Sequence, residues 1–155
     1  MEIENENKEH VIIKVKMFDK DGNLIMEDEK EKDLVVNSGL ALRAALLGDV
    51  STPVALNAIA VGTGTTAPAA TQTSLVSEVA RVASTNSLIT TNVTNDTLQM
   101  VGTISFTSSY SIAEVGTFNT TTANSGTMYS RDTVGPYNVS SGTSLQFTFQ
   151  FVQTS

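Results

Sequence analysis

After residue 50 the chain carries few charged side chains, and four of them are long enough to form ion pairs inside a fold: Glu78, Arg81, Glu114 and Arg131. No Lys occurs in this stretch, so the two Arg residues are its strong cations. A guanidinium matches a carboxylate with two hydrogen bonds, and a charge survives burial only when it is paired. We predict that at least one Arg bridges Glu114 or Glu78, within a subunit or across an interface, as a structural charge clamp. The alternative is that all four side chains are independent and solvated.

Catalytic and metal-binding chemistry has few candidate residues. The chain has no Cys and one His, His10, which excludes a thiolate nucleophile, a disulfide framework and an imidazole metal cluster. No triad arrangement surrounds His10, and the carboxylates after residue 50 form no recognisable acid–base pair. We therefore expect a protein that is not an enzyme, with no catalytic residues, no cofactor and no bound metal.

Two short stretches match the letters of ligand-binding loops. Residues 62–67 (GTGTTA) fit a dinucleotide-binding fingerprint, but that chemistry needs a helix N-terminus directly afterwards, and Pro68 with a polar stretch follows instead. Residues 19–23 (DKDGN) begin like a calcium loop, but Gly22 is fourth rather than sixth and both flanks alternate like strands. We predict a surface loop and a hairpin turn.

Aromatic side chains offer a limited platform for sugars. The chain has no Trp and three Tyr residues, Tyr110, Tyr129 and Tyr137. Sugar-binding surfaces present exposed aromatic faces, and Tyr129 with Tyr137 could line one end of a β-sandwich. Ordinary half-buried packing of these rings is the favoured interpretation.

The composition divides the chain near residue 50. Residues 1–50 hold 7 Lys/Arg and 12 Asp/Glu, whereas 37 of the 38 Ser/Thr residues follow residue 50. The net charge of −7 argues against a nucleic-acid partner, because phosphates require a basic face. No apolar run is long enough to span a membrane, and residues 1–10 lack the basic start and apolar stretch of a signal peptide. We expect no nucleic-acid partner and no membrane partner.

The first third of the chain predicts a hairpin and a helix. Apolar residues alternate over residues 11–17, and the turn at 19–23 returns the chain along 24–29 as a hairpin partner. Residues 27–33 carry seven consecutive charges, which indicates a segment that is solvated or covered by another chain. Domain organisation is predicted as a charged N-terminal arm with a β-hairpin (1–33) and a body (34–155).

One short helix is predicted near residues 38–48. Asn37 or Ser38 can cap its start, residues 40–47 are strong helix formers, and Gly48 can end it. Leu42, Leu46 and the adjacent Leu47 would dock one face on a sheet.

The remainder predicts strands. Val, Ile, Thr and Phe are enriched at residues 58–61, 79–93, 97–107, 112–118 and 127–131, with residues 94–96 joining a long hairpin and 124–126 forming a turn. In the last strand Leu145, Phe147, Phe149 and Phe151 alternate with polar residues, so they share one buried face. The predicted fold is mainly β, an antiparallel and jelly-roll-like β-sandwich with one short helix.

The scarcity of charge after residue 50 also predicts self-association. A solvated monomer surface usually carries more Lys, Arg, Asp and Glu than this stretch does. We expect a homo-oligomer, with a trimer as the favoured form.

Several stretches together resemble virion structural proteins of tailed viruses that infect bacteria or archaea. They are AIAVGTGTTAP at residues 58–68, TSL at 73–75, EVAR at 78–81, IAEVGTFN at 112–119 and SGTMYSR at 125–131. Asn37-Ser38-Gly39 before a short helix and the closing strand at 144–152 agree with that group. The resemblance covers roughly residues 35–155 and leaves out the charged hairpin.

The resemblance implies a location in the virion, reached by assembly in the host cytoplasm. Proteins of this group lie on capsid surfaces, on tails and in fibres. A compact β body with a chemically distinct N-terminal region favours a capsid decoration or head-surface protein. Such a protein would form an oligomer and dock through its N-terminal region to another virion protein, such as the major capsid protein. The alternatives are a tail or tail-fibre component, or a receptor- or glycan-binding adhesion module.

Overall fold

Two antiparallel sheets and one helix form the fold, in a computed structural model that describes residues 9–32 and 34–154. The elements in chain order are β1 (His10–Phe18), β2 (Leu24–Lys32), α1 (Asn37–Gly48), β3 (Ala58–Gly62), β4 (Glu78–Ala83), β5 (Thr85–Ile89), β6 (Thr97–Ser105), β7 (Tyr110–Phe118), β8 (Met128–Val139) and β9 (Ser144–Val152). One sheet has the order β2-β1-β9-β6-β5 and the other β4-β3-β7-β8. The predicted β-sandwich is confirmed.

Successive hairpins alternate between the two sheets. The β1–β2 and β5–β6 hairpins belong to the five-stranded sheet, and the β3–β4 and β7–β8 hairpins belong to the four-stranded sheet. The last strand, β9, returns to the first sheet and lies between β1 and β6. The closing strand is therefore central to its sheet.

The main core lies between the sheets and contains the predicted aromatic face of β9. Leu145, Phe147, Phe149 and Phe151 are at most 1% exposed and pack in one cluster with residues of β3 and β7. A strict period of two puts these side chains on one face of the strand, which explains why the sequence predicts them well.

The N-terminal hairpin belongs to the sandwich, which differs from the predicted division into an arm (1–33) and a body (34–155). β1 is an inner strand, hydrogen-bonded to β2 on one side and β9 on the other. Its Val11, Ile13 and Val15 are at most 2% exposed and lie in the main core. The apolar alternation of β1 outweighs the charge of β2, because burying three aliphatic side chains is worth several kcal/mol.

The strand predicted at residues 79–93 is divided between the two sheets. β4 ends at Ala83, Ser84 donates its backbone N–H to the carbonyl of Asn57, and β5 begins at Thr85 in the other sheet. The strand predicted at 127–131 is only the first part of β8, which continues to Val139. A continuous run of β-forming residues does not show where a chain changes sheets.

Helix α1 spans Asn37–Gly48, which confirms the helix predicted near residues 38–48, but its two ends are capped differently from the prediction. Val36 is the N-cap residue, and because its side chain has no polar atom, no side chain caps the helix. The Ser38 hydroxyl donates to the Met128 carbonyl. Asp49 rather than Gly48 adopts the left-handed conformation at the C-terminus, with a φ of 49°. Leu42 is buried, but Leu47 is 86% exposed, so the docking face is narrower than predicted.

Candidate functional site

The four long charged side chains singled out in the sequence lie together on the outer face of the four-stranded sheet. Cross-strand register places Ala60 between Arg81 and Gly116, and Gly116 beside Arg131. Two residues further along β3, Gly62 lies between Glu78 on one neighbouring strand and Glu114 on the other. Small residues between the charges leave room for long side chains to lie across the sheet. A small apolar cluster, which includes Ala58, Phe118 and Leu75, shares this region.

Glu114 and Arg131 form a fully buried ion pair between neighbouring strands β7 and β8. Both side chains are 0% exposed, and the Nη2 and Nε atoms of Arg131 each lie 2.9 Å from Oε2 of Glu114. An ion pair without solvent must satisfy its remaining hydrogen-bonding groups inside the protein.

The other polar contacts of this pair hold the loop at residues 63–77 against the sheet. Glu114 accepts backbone N–H groups from Gly64 at 3.1 Å, Val76 at 2.9 Å and Ser77 at 2.7 Å. Arg131 donates to Oε1 of Gln72 and to the carbonyl of Thr66, both at 3.0 Å. The pair therefore contacts both ends and the middle of the loop.

Electrostatics keeps the Glu114 carboxylate charged. Burial alone raises its pKa, but the N–H groups of Val76 and Ser77 and the Arg131 guanidinium together lower the pKa below its usual value. The charged form is favoured because each of these groups donates a hydrogen bond to it.

The glycine-rich stretch at residues 62–67 hydrogen-bonds to the Glu114–Arg131 pair. The Gly64 N–H, which a nucleotide phosphate would require, is donated to Glu114 of the same chain. A side chain at residue 64 would put its Cβ 2.6 Å from Oε1 of Glu114, so glycine permits the close approach. The sequence-based prediction of a surface loop agrees with this arrangement, in which the anion is an internal carboxylate.

Glu78 and Arg81 form the second ion pair, within strand β4. Arg81 binds Glu78 as a fork, with Nε–Oε1 at 2.9 Å and Nη2–Oε2 at 2.8 Å, and both side chains are at most 5% exposed. The Nη1 atom donates to the carbonyls of Thr120 at 3.0 Å and Ser125 at 2.9 Å. The guanidinium also lies 3.8 Å from the centre of the Phe118 ring, a cation–π contact.

Both predicted Arg residues thus contact a predicted Glu in the same chain. Arg131 binds Glu114 and fastens the β3–β4 loop, whereas Arg81 binds Glu78 and fastens the β7–β8 loop. We call the two pairs and the loops that they hold the loop clamps. Their contribution to stability stays a prediction.

Two buried tyrosine–carboxylate contacts have no counterpart among the sequence-based predictions. The Tyr129 hydroxyl donates to Glu9 at 2.6 Å and the Tyr137 hydroxyl donates to Asp28 at 2.6 Å. Burial first, and then the neighbouring carboxylate, raise the pKa of both tyrosines above the usual value. Glu9 and Asp28 lie among other charged residues, and such segments are expected to be exposed to solvent. Nothing in the sequence therefore distinguishes these two carboxylates from their neighbours.

The tyrosines do not form an exposed sugar platform. Tyr129 and Tyr137 are 4% and 6% exposed, and the Tyr129 ring packs edge-on against Phe151 at 5.2 Å between centroids. Tyr110 is 38% exposed. Packing within the sandwich therefore accounts for the two rings that the sugar-binding alternative needed.

The remaining candidate residues have structural contacts. Nδ1 of His10 lies 2.5 Å from Oε1 of Glu31 on the protein surface. Asp19 accepts the backbone N–H groups of Asp21 and Asn23, which makes residues 19–23 the predicted hairpin turn. Within residues 9–32 and 34–154, no three His, Asp or Glu side chains converge as a metal site would require. No helix in these ranges is long and apolar enough to cross a membrane.

Comparisons with known proteins add no assignment. The chain matches no protein-family model, no curated protein and no solved structure.

Proposed function

We propose that the chain is a non-enzymatic structural subunit of a tailed-virus particle, a capsid decoration or head-surface protein that self-assembles. The loop clamps are the observation that carries this proposal. Two buried ion pairs hold two long surface loops on one sheet, with 0% to 5% of each charged side chain exposed. Loops that are already ordered lose little conformational entropy when they become part of a contact surface.

The placement of the virion-like stretches supports the proposal. The stretches at 58–68, 78–81, 112–119 and 125–131 supply β3, β4, β7 and the start of β8, which make up the four-stranded sheet. The charged residues of these stretches are the ones that bind one another in the loop clamps. The resemblance thus concerns one contiguous sheet and its loops rather than scattered positions.

Surface chemistry supports repeated weak contacts. After residue 50 the charged residues are two Arg, two Glu and two Asp. The Arg and Glu residues form two buried ion pairs within the chain, so they do not contribute charge to its surface. The remaining surface of these strands is rich in Ser and Thr, so copies can meet without charge repulsion. Many such contacts on one particle add through avidity.

The N-terminal hairpin supplies the proposed contact with another virion protein, such as the major capsid protein. β2 is an edge strand, and residues 27–32 within it are all charged. Charged edges resist pairing with other strands, but they can dock on a surface of complementary charge. Self-association and docking to the shell are thereby assigned to different surfaces.

Particle purification tests the proposal. Particles released from cells whose viral genome encodes the chain are separated on a density gradient, and heads are then separated from tails. We expect the chain to band with heads and with the major capsid protein. A chain that stays in the soluble lysate contradicts a virion role, and a chain that bands with tails alone contradicts the head-surface location.

A further inference from the structure

The sandwich is open at one corner, between the C-terminal end of α1 and strands β5, β6 and β9. The cavity there has a volume of about 380 Å³. We call it the corner groove. Its polar lining includes the ion pair of Glu9 and Arg43, and its apolar lining includes Leu46, Leu47, Ala55, Leu56, Leu98 and Phe151. Leu46 and Leu47 are 38% and 86% exposed, so the rim of the groove presents aliphatic side chains to solvent.

Strand β5 forms one wall of the corner groove and is an edge of the five-stranded sheet. Asn86 of β5 lines the groove and donates its amide to the Leu56 carbonyl at 2.7 Å. β5 pairs with β6 on one side, and no strand among the described residues pairs with its other side. An edge of this kind presents backbone N–H and C=O groups that can accept another strand.

Two other edge strands, β2 and β8, are protected against pairing with another chain, whereas β5 is not. β2 carries six charged residues at 27–32, and β8 is bridged by Val35 and contacted by α1. Residues 82–95, which include all of β5, contain no Asp, Glu, Lys or Arg. Leu88 in β5 is 61% exposed. A neutral edge with an exposed aliphatic residue is typical of a strand that pairs with another chain.

We propose that β5 pairs antiparallel with β5 of a second copy of this chain, about a two-fold axis at Ser87. Such an interface joins identical patches, so each contact occurs twice. In this register Asn86 of one copy lies opposite Leu88 of the other. Residues 86 and 88 share a face of the strand, so Leu88 of each copy enters the corner groove of its neighbour.

The second copy is the occupant that fits these features. The apolar part of the groove fits an aliphatic side chain, its charged residues Glu9 and Arg43 are already paired with each other at 3.4 Å, and the edge needs a strand. β5 itself supplies an uncharged strand with an exposed Leu at the required position. This inference rests on the proposed self-assembly, and it replaces the trimer expected from composition with a two-fold pair.

Cross-linking in the full chain tests the register. The chain has no Cys, so Ser87→Cys introduces a single thiol at the proposed axis. Directly opposed residues of antiparallel strands have Cα atoms about 4.5–5.5 Å apart, within the range that a disulfide spans. We expect mild oxidation to give a covalent dimer of Ser87→Cys. The matched control, Ser141→Cys in the exposed turn after β8, should remain uncross-linked.

Sedimentation of wild-type and Leu88→Lys protein separates the possible results. We expect wild type to have twice the 16.4 kDa chain mass and Leu88→Lys to weaken association at least about tenfold, because a charged side chain would replace an aliphatic one against Leu56, Leu98 and Phe151. Ile25→Lys is the control, because Ile25 is 54% exposed on the opposite edge. Circular dichroism checks that both variants keep the fold.

The experiments give different results if the β5 interface is wrong and if self-assembly as a whole is wrong. If wild type self-associates but Ser87→Cys does not cross-link and Leu88→Lys has no effect, the β5 interface is wrong and self-assembly stands. A stable mass of three chains overturns the two-fold pair in the same way. If wild type keeps the mass of one chain at all concentrations, self-assembly itself is wrong.

Discussion

Arg131 is the most enclosed cation of the described chain, and its surroundings explain why it is Arg. Its guanidinium serves three acceptors at once, on Glu114, Gln72 and Thr66, with its side chain 0% exposed. A Lys ammonium has fewer donors and lacks the planar geometry for this set. The absence of Lys after residue 50 and the isolation of two Arg residues were therefore informative in the sequence.

Breaking the buried pair should cost far more stability than breaking a surface pair. We expect Arg131→Met and Glu114→Gln each to lower the free energy of unfolding by about 3–5 kcal/mol, because each leaves a buried group without its partner. Chemical denaturation followed by circular dichroism measures the loss.

The matched control for this prediction is Lys16→Met. Nζ of Lys16 lies 3.7 Å from Oε1 of Glu27, and both side chains are about half exposed. We expect this control to cost less than about 1 kcal/mol. Losses of similar size for the control and for Arg131→Met would contradict the structural role of the clamp.

The clamp should also weaken in acid. The folded pKa of Glu114 lies below its ordinary value of 4.5, so its charged form contributes stability above that pH. This contribution is lost as the pH falls through the folded pKa. We expect the difference in unfolding free energy between wild type and Glu114→Gln to narrow on going from pH 7 to below pH 4.5. A difference that is constant with pH would show that the charge of Glu114 has no part in stability.

The sequence could not specify which carboxylate each Arg would bind, nor the backbone groups that complete each pair. The loop contacts of Glu114 come from Gly64, Val76 and Ser77, which lie 37 to 50 residues away along the chain. Such contacts depend on how the 63–77 loop folds back over the sheet, and local residue patterns do not encode that path.

At the scale of elements, β1 shows how a charged segment can contribute to the core. Its inward side chains pack between the sheets, while the charges of the hairpin lie on β2 and on the outer face. Composition averages over the two faces of the strand, so it does not show that β1 packs in the core and pairs with β9. Alternation along the strand carried the correct information, as it did for β9.

Two adjacent isoleucines of β1 provide a direct test. Ile13 is 0% exposed in the core, whereas Ile12 is partly exposed on the opposite face. We expect Ile13→Ala to destabilise the protein by about 2–5 kcal/mol, because it leaves a cavity between the sheets. Ile12→Ala should have a clearly smaller effect. Equal effects on the midpoint of unfolding would place β1 outside the cooperative core.

Sequence periodicity predicts where most strands lie but not where one strand ends and the next begins. The alternating Phe residues of β9 and the turn at residues 19–23 were predicted correctly because their patterns are local. The change of sheet at Ser84 is accompanied by a backbone hydrogen bond to Asn57, whereas the bounds predicted for α1 agree with the structure to within one residue. The boundary at Ser84 involves a tertiary contact, so residue propensity alone does not locate it.

At the scale of the whole molecule, charge is distributed by surface. One edge of the five-stranded sheet, β2, is densely charged, whereas the other edge, β5, is neutral. The four-stranded sheet uses its charges internally, in the loop clamps. This division suits a subunit that pairs with a second copy through β5, meets further copies through the uncharged surface of the four-stranded sheet, and meets a different partner through β2.

Counting copies per particle tests the proposed function most directly. Purified particles are digested, and peptides of this chain are quantified by mass spectrometry against peptides of the major capsid protein. A repeated head-surface subunit requires a constant, small-integer ratio between the two proteins in every preparation. Only a few copies per particle, or an amount that varies between preparations, would contradict that role.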